Sequence, residues 1–148
     1  MNNTQKRIHE SSRFAIYFAP EISSALHMLG SQWIGRDANS GKLIKQPKIP
    51  DITSEYLYKI TKNPRLYGFH ATLKAPFQLN IRFTLNDLQD HIQRFCASIQ
   101  PFNIYLTVKQ VGQFLALVMD PREKKMVTLA SDLVKQADHF RAPIQQSM

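Results

Sequence analysis

The sequence predicts an α+β fold, an antiparallel sheet packed with helices. Two observations carry this. Segments that alternate apolar and polar residues interleave with segments whose apolar residues recur at spacings of three and four. Their order, β-α-α-β-α-β-β-α, mixes a tight hairpin with helical crossovers and does not repeat a β-α unit. With 43% hydrophobic residues and 9 phenylalanines among 148 residues, the chain can bury a real core. That length suits one domain, or two small lobes around a shared core.

The first strand is "RFAIYFAP", 13–20, with Phe14, Ile16 and Phe18 on one face and Arg13, Ala15, Tyr17 and Ala19 on the other. Pro20 opens a helical stretch whose Ile22, Ala25, Leu26, Leu29 and Trp33 share a side, making Trp33 a core residue; Gly35 stops it. Residues 37–51, with Gly41, Pro47 and Pro50, form a loop long enough to suggest a functional or mobile cover. A short helix over about 54–61 is capped by Thr53. The clearest helix is "TLNDLQDHIQRFCASI", where Thr84 and Asp87 form a capping box and Leu85, Leu88, Ile92, Phe95, Cys96 and Ile99 make the stripe. "FNIYLTVKQV" then alternates as a strand, Gly112-Gln113 turns a hairpin, and "FLALVM" is apolar on both faces and expected in the interior. Asp120-Pro121 starts the last helix, with Met126, Leu129, Ala130, Leu133, Val134 and Ala137 on its buried side.

The second strand carries the chemistry. In "YGFHATLKAPF", 67–77, the residues His70, Thr72 and Lys74 project from one face against Phe69, Ala71 and Leu73 on the other. Imidazole gives or takes a proton near neutral pH. A hydroxyl two residues along a strand can meet the same ligand oxygen, and an ammonium further along adds positive charge. Such a row suits a phosphate group and proton transfer during P–O cleavage. A half-exposed strand with a polar outer face has the same pattern, so the bare His-x-Thr is a weak signal.

Nineteen Lys and Arg against eleven Asp and Glu give a net charge of +8. This favours anionic partners: a phosphate-containing small molecule, a nucleotide, or RNA. The charges are dispersed, without a block of the kind that marks a polymer-binding tail. One cysteine, Cys96, excludes an internal disulfide framework and points to a reducing compartment; it reads as a small buried hydrophobe. The five histidines are scattered, with no zinc-type spacing, so no metal or other cofactor is expected. The polar "MNNTQKRIHESS", 1–12, reads as a flexible tail, not a signal peptide. No run is long enough to span a membrane, and the cytoplasm is the expected location.

"RLYGFHATLKAPF", taken with "RFAIYFAP", "SQWIGRDANSG", "VGQFLALV" and "HFRAP", resembles the two-histidine (2H) phosphoesterase superfamily, and within it the branch encoded beside phosphonate-degradation genes. The resemblance runs in order from Arg13 to about Pro143. It implies a bilobal α+β fold in which two His-x-Thr motifs face each other across a cleft. Their histidines serve as general acid and base, and their threonines hold phosphate oxygens of a cyclic phosphodiester. It assigns the first motif to His70 and Thr72. The second is absent: downstream, His139 is followed by Phe140 and Arg141. Residues 13–148 therefore read as an incomplete domain of this kind, truncated before its C-terminal strands. A two-fold dimer joining two His70 residues is one way to supply the second motif. The resemblance thus implies a phosphodiesterase-like protein, with a non-catalytic nucleotide or RNA-end binder and an inactive truncated fragment as the alternatives.

Other residues carry two readings each. Lys74 is a phosphate contact or a solvated strand residue. Tyr17 faces the cleft or packs with its hydroxyl at the surface. Arg36 binds ligand or, with Asp37, serves the structure. Arg65 and Tyr67 border the pocket as they lead into the strand. His91 and His27 read as peripheral.

Overall fold

The computed structural model describes residues 12–143; apart from Ser12, the tail expected over 1–12 lies outside them. The fold is mixed α+β, with two small antiparallel sheets and five helices among the described residues. The elements are β1 (Arg13–Phe18), α1 (Ala25–Ile34), α2 (Ser54–Ile60), α3 (Lys62–Arg65), β2 (Ala71–Gln78), α4 (Leu85–Ala97), β3 (Leu106–Val111), β4 (Phe114–Met119) and α5 (Lys124–Asp138). The sequence order anticipated all but the one-turn α3. Strand β1 pairs with β2, and β3 with β4. The chain divides into two compact units: unit 1 is Met1–Ala15 with Leu73–Met148, and unit 2 is Ile16–Thr72.

Unit 1 is built on α4 and α5. Thr84 caps α4 as its spacing predicts: Thr84 Oγ1 accepts from Asp87 N at 3.2 Å, and Thr84 N donates to Asp87 Oδ2 at 2.7 Å. Phe77, Leu88 and Phe140 form the core cluster, flanked by Phe14, Phe83 and Ile92. The chain leaving α5 returns to the end of β2, where Leu79 bridges Arg141 and the backbone bonds Asn80 N–Phe140 O and Ala142 N–Gln78 O are both 2.8 Å. That return buries Phe140. Three expectations fail here. Cys96 is exposed, because the buried face of α4 centres on Leu88 and Phe95. Helix α5 begins at Lys124, where the Glu123 carboxylate accepts from Lys125 N, and its buried residues are Leu133 and Ala137 while Val134 is exposed. Strand β4 is not interior. Its register, Val111 opposite Phe114, confirms the Gly112-Gln113 turn, yet Phe114, Leu115 and Leu117 are exposed because β4 pairs only with β3.

Unit 2 holds α1, α2 and α3, with Leu57 of α2 fully buried. Helix α1 starts at Ala25, five residues beyond Pro20, because Ser24 Oγ accepts from His27 N and sets the cap there. Its buried face is His27, Ser31 and Ile34, so Trp33, expected in the core, is exposed, as are Ile22 and Leu29. A buried histidine turns this helix: His27 Nε2 lies 3.3 Å from Asp37 Oδ1. The loop from Asp37 to Asp51 is tied down. Ile44 N donates to Gly35 O at 3.0 Å, and Gln46 Nε2 donates to Trp33 O at 2.8 Å and Thr61 Oγ1 at 3.0 Å.

Candidate functional site

His70 sits one residue ahead of β2, and Thr72 is the second residue of that strand. The turn before them is fixed by backbone bonds from Tyr67 N and Gly68 N to Pro64 O, and Gly68 has φ +81°, a left-handed geometry that favours glycine. This turn delivers His70 to the strand with its ring folded back: Nδ1 lies 2.9 Å from Gly68 O. A carbonyl oxygen only accepts, so this contact is a hydrogen bond in the form with the proton on Nδ1, and in that neutral form Nε2 keeps its lone pair. Nε2 faces the Thr72 hydroxyl at 3.4 Å. The predicted row is thus realised for its first two members within unit 2.

Tyr17 joins them. Its ring stacks on the imidazole at 4.0 Å between centroids and 36° between planes. Tyr67 presents its ring edge-on at 6.2 Å and is well exposed. Behind, Gly30 of α1 lets Phe69 pack close: a Cβ there would stand 2.4 Å from the Phe69 ring. The imidazole is thus held by a carbonyl and an aromatic face. An open polar edge, Nε2 with the Thr72 hydroxyl, can accept a proton and donate a hydrogen bond to one ligand oxygen.

The three cations singled out from the sequence are engaged elsewhere. Lys74 is buried in unit 1, its Nζ 3.1 Å from Asp138 Oδ1 and 3.3 Å from Val134 O. Arg141 donates to the same carboxylate through Nε at 2.7 Å and Nη2 at 3.1 Å. Hydrogen bonds from Arg141 and then Lys74 hold the Asp138 carboxyl far below the usual carboxylate range. Arg65 is buried, with its guanidinium donating to Thr61 Oγ1 and Tyr58 O and stacked 3.4 Å from the Tyr58 ring centroid. Arg36 Nη1 donates to Leu66 O at 3.1 Å and reaches Arg65 O at 3.5 Å, the structural role weighed for it from the sequence.

Two histidines expected at the periphery are not free surface groups. His27 is buried against Asp37, whose carboxyl is lowered chiefly by the Ser40 hydroxyl. His91 packs on Phe140 at 5.1 Å, with Nε2 buried and unpartnered among the described residues. With His139 it lines an open hollow of about 360 Å³ in unit 1, a site the sequence did not suggest. Among the described residues, no cluster of three or more His, Cys, Asp or Glu side chains is placed to hold a metal, and no helix is long and apolar enough to cross a membrane.

A mixed α+β chain with an imidazole and a hydroxyl paired at an exposed strand start is the class of protein that the fold and site define. The chain belongs to the family described as "Protein of unknown function (DUF1045)", which matches residues 72–147. It is similar to two relatives named "Ribose 1,5-bisphosphate phosphokinase PhnN". The one from Janthinobacterium sp. (strain Marseille) is 35% identical over 136 residues, 91% of this chain and 30% of that protein. The one from Laribacter hongkongensis (strain HLHK9) is 28% identical over 131 residues, 88% of this chain and 31% of that protein. The chain therefore spans about a third of the length of these curated relatives. No solved structure matches it significantly.

Proposed function

We propose that His70 and Thr72 form a phosphate-ester site of the two-histidine kind, acting on a cyclic phosphate carried by ribose or on a related phosphodiester. One observation carries this: Nδ1 of His70 is committed to Gly68 O, which leaves Nε2 as a base 3.4 Å from the Thr72 hydroxyl on an open edge. Thr72 donates to a phosphoryl oxygen. His70 Nε2 takes a proton from water as the water oxygen bonds to phosphorus. The ring P–O bond breaks, the leaving alkoxide takes a proton from solvent, and the products are a phosphomonoester and a free hydroxyl. Proton transfer of this kind is worth about 10²–10⁴-fold, and the +8 chain attracts the anion.

The substrate class draws support from the relatives' name. Opening a cyclic phosphate on a ribose 5-phosphate leaves a ribose bisphosphate, the kind of compound a ribose 1,5-bisphosphate phosphokinase consumes. A place in phosphonate metabolism fits that name and the resemblance drawn from the sequence. Kinase chemistry is not part of the proposal, because the sequence given holds no Gly-x-x-x-x-Gly-Lys-Ser/Thr loop; Gly35 and Gly41-Lys42 have five residues between them where that loop has four, and Leu43 follows.

A second reading, binding without turnover, rests on a different observation. The other described imidazole of unit 2, His27, is buried against Asp37, so His70 is the one available at this site. The test is ³¹P NMR of a ribose 5-phosphate 1,2-cyclic phosphate incubated with the chain and with His70→Ala. Hydrolysis that disappears in the variant supports the first reading. Line broadening without product supports the second, and turnover that survives His70→Ala refutes the role given to His70.

A further inference from the structure

We propose that the turn Arg36–Lys42 is a positioning device for His70, acting through the carbonyl of Gly68 to fix which ring nitrogen carries the proton. This rests on the reading of His70 as the reactive group. Its structural content stands without it.

The device is assembled in steps within unit 2. Helix α1 ends at Gly35, φ +85°, with Gly35 N and Arg36 N both bonded to Ser31 O, so the chain leaves the helix in one direction. Arg36 then caps carbonyls at the end of α3, Leu66 O at 3.1 Å and Arg65 O at 3.5 Å, which would otherwise lack helical partners. Asp37 closes the turn on itself. Its Oδ1 accepts from Asn39 N at 2.9 Å, its Oδ2 from Ser40 Oγ at 2.7 Å, and its backbone bonds Lys42 O and Gly41 N. Buried His27 holds the same carboxylate against α1 at 3.3 Å.

The result is a rigid Ala38 pressed onto Gly68. A Cβ on Gly68 would stand 2.8 Å from both Ala38 Cα and Cβ and 2.9 Å from Ala38 N. With Gly68 N bonded to Pro64 O at 2.9 Å and Ala38 against its Cα, the Gly68 residue is held on two sides, and its carbonyl accepts from His70 Nδ1. In water a free imidazole exchanges between two neutral forms. Here one face of the choice is built into the backbone, and a base at Nε2 is the outcome. Arg36 and Asp37 are thus positioning residues, remote from the phosphate.

The experiment is long-range ¹H–¹⁵N NMR of the histidine rings, above the imidazole titration, in the wild-type chain and in Arg36→Ala and Arg36→Lys. The wild type is expected to show His70 protonated at Nδ1 with an unprotonated Nε2. Arg36→Ala is expected to lose that pattern in favour of the Nε2–H form, and Arg36→Lys, which keeps the charge and one donor, to restore it in part. Should Arg36→Ala fail to fold, Arg36→Lys carries the test by a partial loss of the Nδ1–H form. A wild-type His70 protonated at Nε2 overturns the proposal, as does a folded variant whose His70 pattern is unchanged. None of these outcomes depends on turnover, so a chain inactive toward cyclic phosphates leaves this inference decided on its own terms. Where turnover is present, Arg36→Ala lowers kcat with little change in KM.

Discussion

His70 and Lys74 stand four residues apart in one alternating segment and meet opposite fates. In unit 2 the imidazole keeps an open edge, with Nδ1 on the Gly68 carbonyl and Nε2 facing the exposed Thr72 hydroxyl at 3.4 Å. In unit 1 the ammonium is buried, and Asp138 and a helix carbonyl satisfy it. A polar side chain on a strand is a candidate for chemistry only if its reactive atom remains unspent. Burial and partner count decide that, and sequence spacing does not contain them.

The widest separation between the two should come from catalysis. His70→Ala is expected to reduce cyclic phosphate hydrolysis by about 10²-fold or more while the thermal unfolding midpoint stays near that of the wild type. A comparable fall in Tm would mean that the ring serves packing. Lys74→Ala should invert the pattern. It leaves Asp138 half-exposed with Arg141 still paired and forfeits the buried stem, a loss of about 2 kcal/mol in urea unfolding, with hydrolysis per folded molecule unchanged. Activity lost with stability intact would return Lys74 to the ligand.

The pH dependence sharpens the same contrast. The Asp138 carboxyl is held below its ordinary value of 3.8 by Arg141 and Lys74. Its contribution to stability is therefore fully present above that value and is lost as the pH falls below it. Unfolding monitored from pH 6 downward should show this loss in the wild type and a smaller one in Asp138→Asn. The smallest effect belongs to Tyr17. Removing its stacked ring in Tyr17→Leu forfeits about 1 kcal/mol of orientation, roughly a fivefold fall in kcat. An unchanged kcat would show that Gly68 alone orients the imidazole.

How much of this the sequence disclosed depended on how local each determinant is. The capping box at Thr84 and Asp87 and the hairpin at Gly112-Gln113 need only residues within three positions, and both formed as their patterns indicate. The same holds for the adjacency of His70 and Thr72. The face of α1 differs because the strongest apolar spacing points to Trp33, whereas the contacts of His27 with Asp37 and of Gly30 with Phe69 turn the helix. The apolar run of β4 reads the same whether covered or open. No sequence pattern could show Arg36 reaching carbonyls about thirty residues away or Ala38 lying against Gly68. These are products of the tertiary fold.

Central to the mechanism is His70 Nε2 as the base beside a phosphate whose oxygen the Thr72 hydroxyl holds. Titrating the ¹⁵N-labelled chain with a ribose 5-phosphate cyclic phosphate, and following the His70 ring nitrogens beside the Lys74 Nζ signal, tests it most directly. The account predicts that His70 Nε2 shifts in a saturable way while Nδ1 and Lys74 Nζ stay in place. A saturable shift confined to Lys74, or none at His70 at saturating ligand, would contradict it.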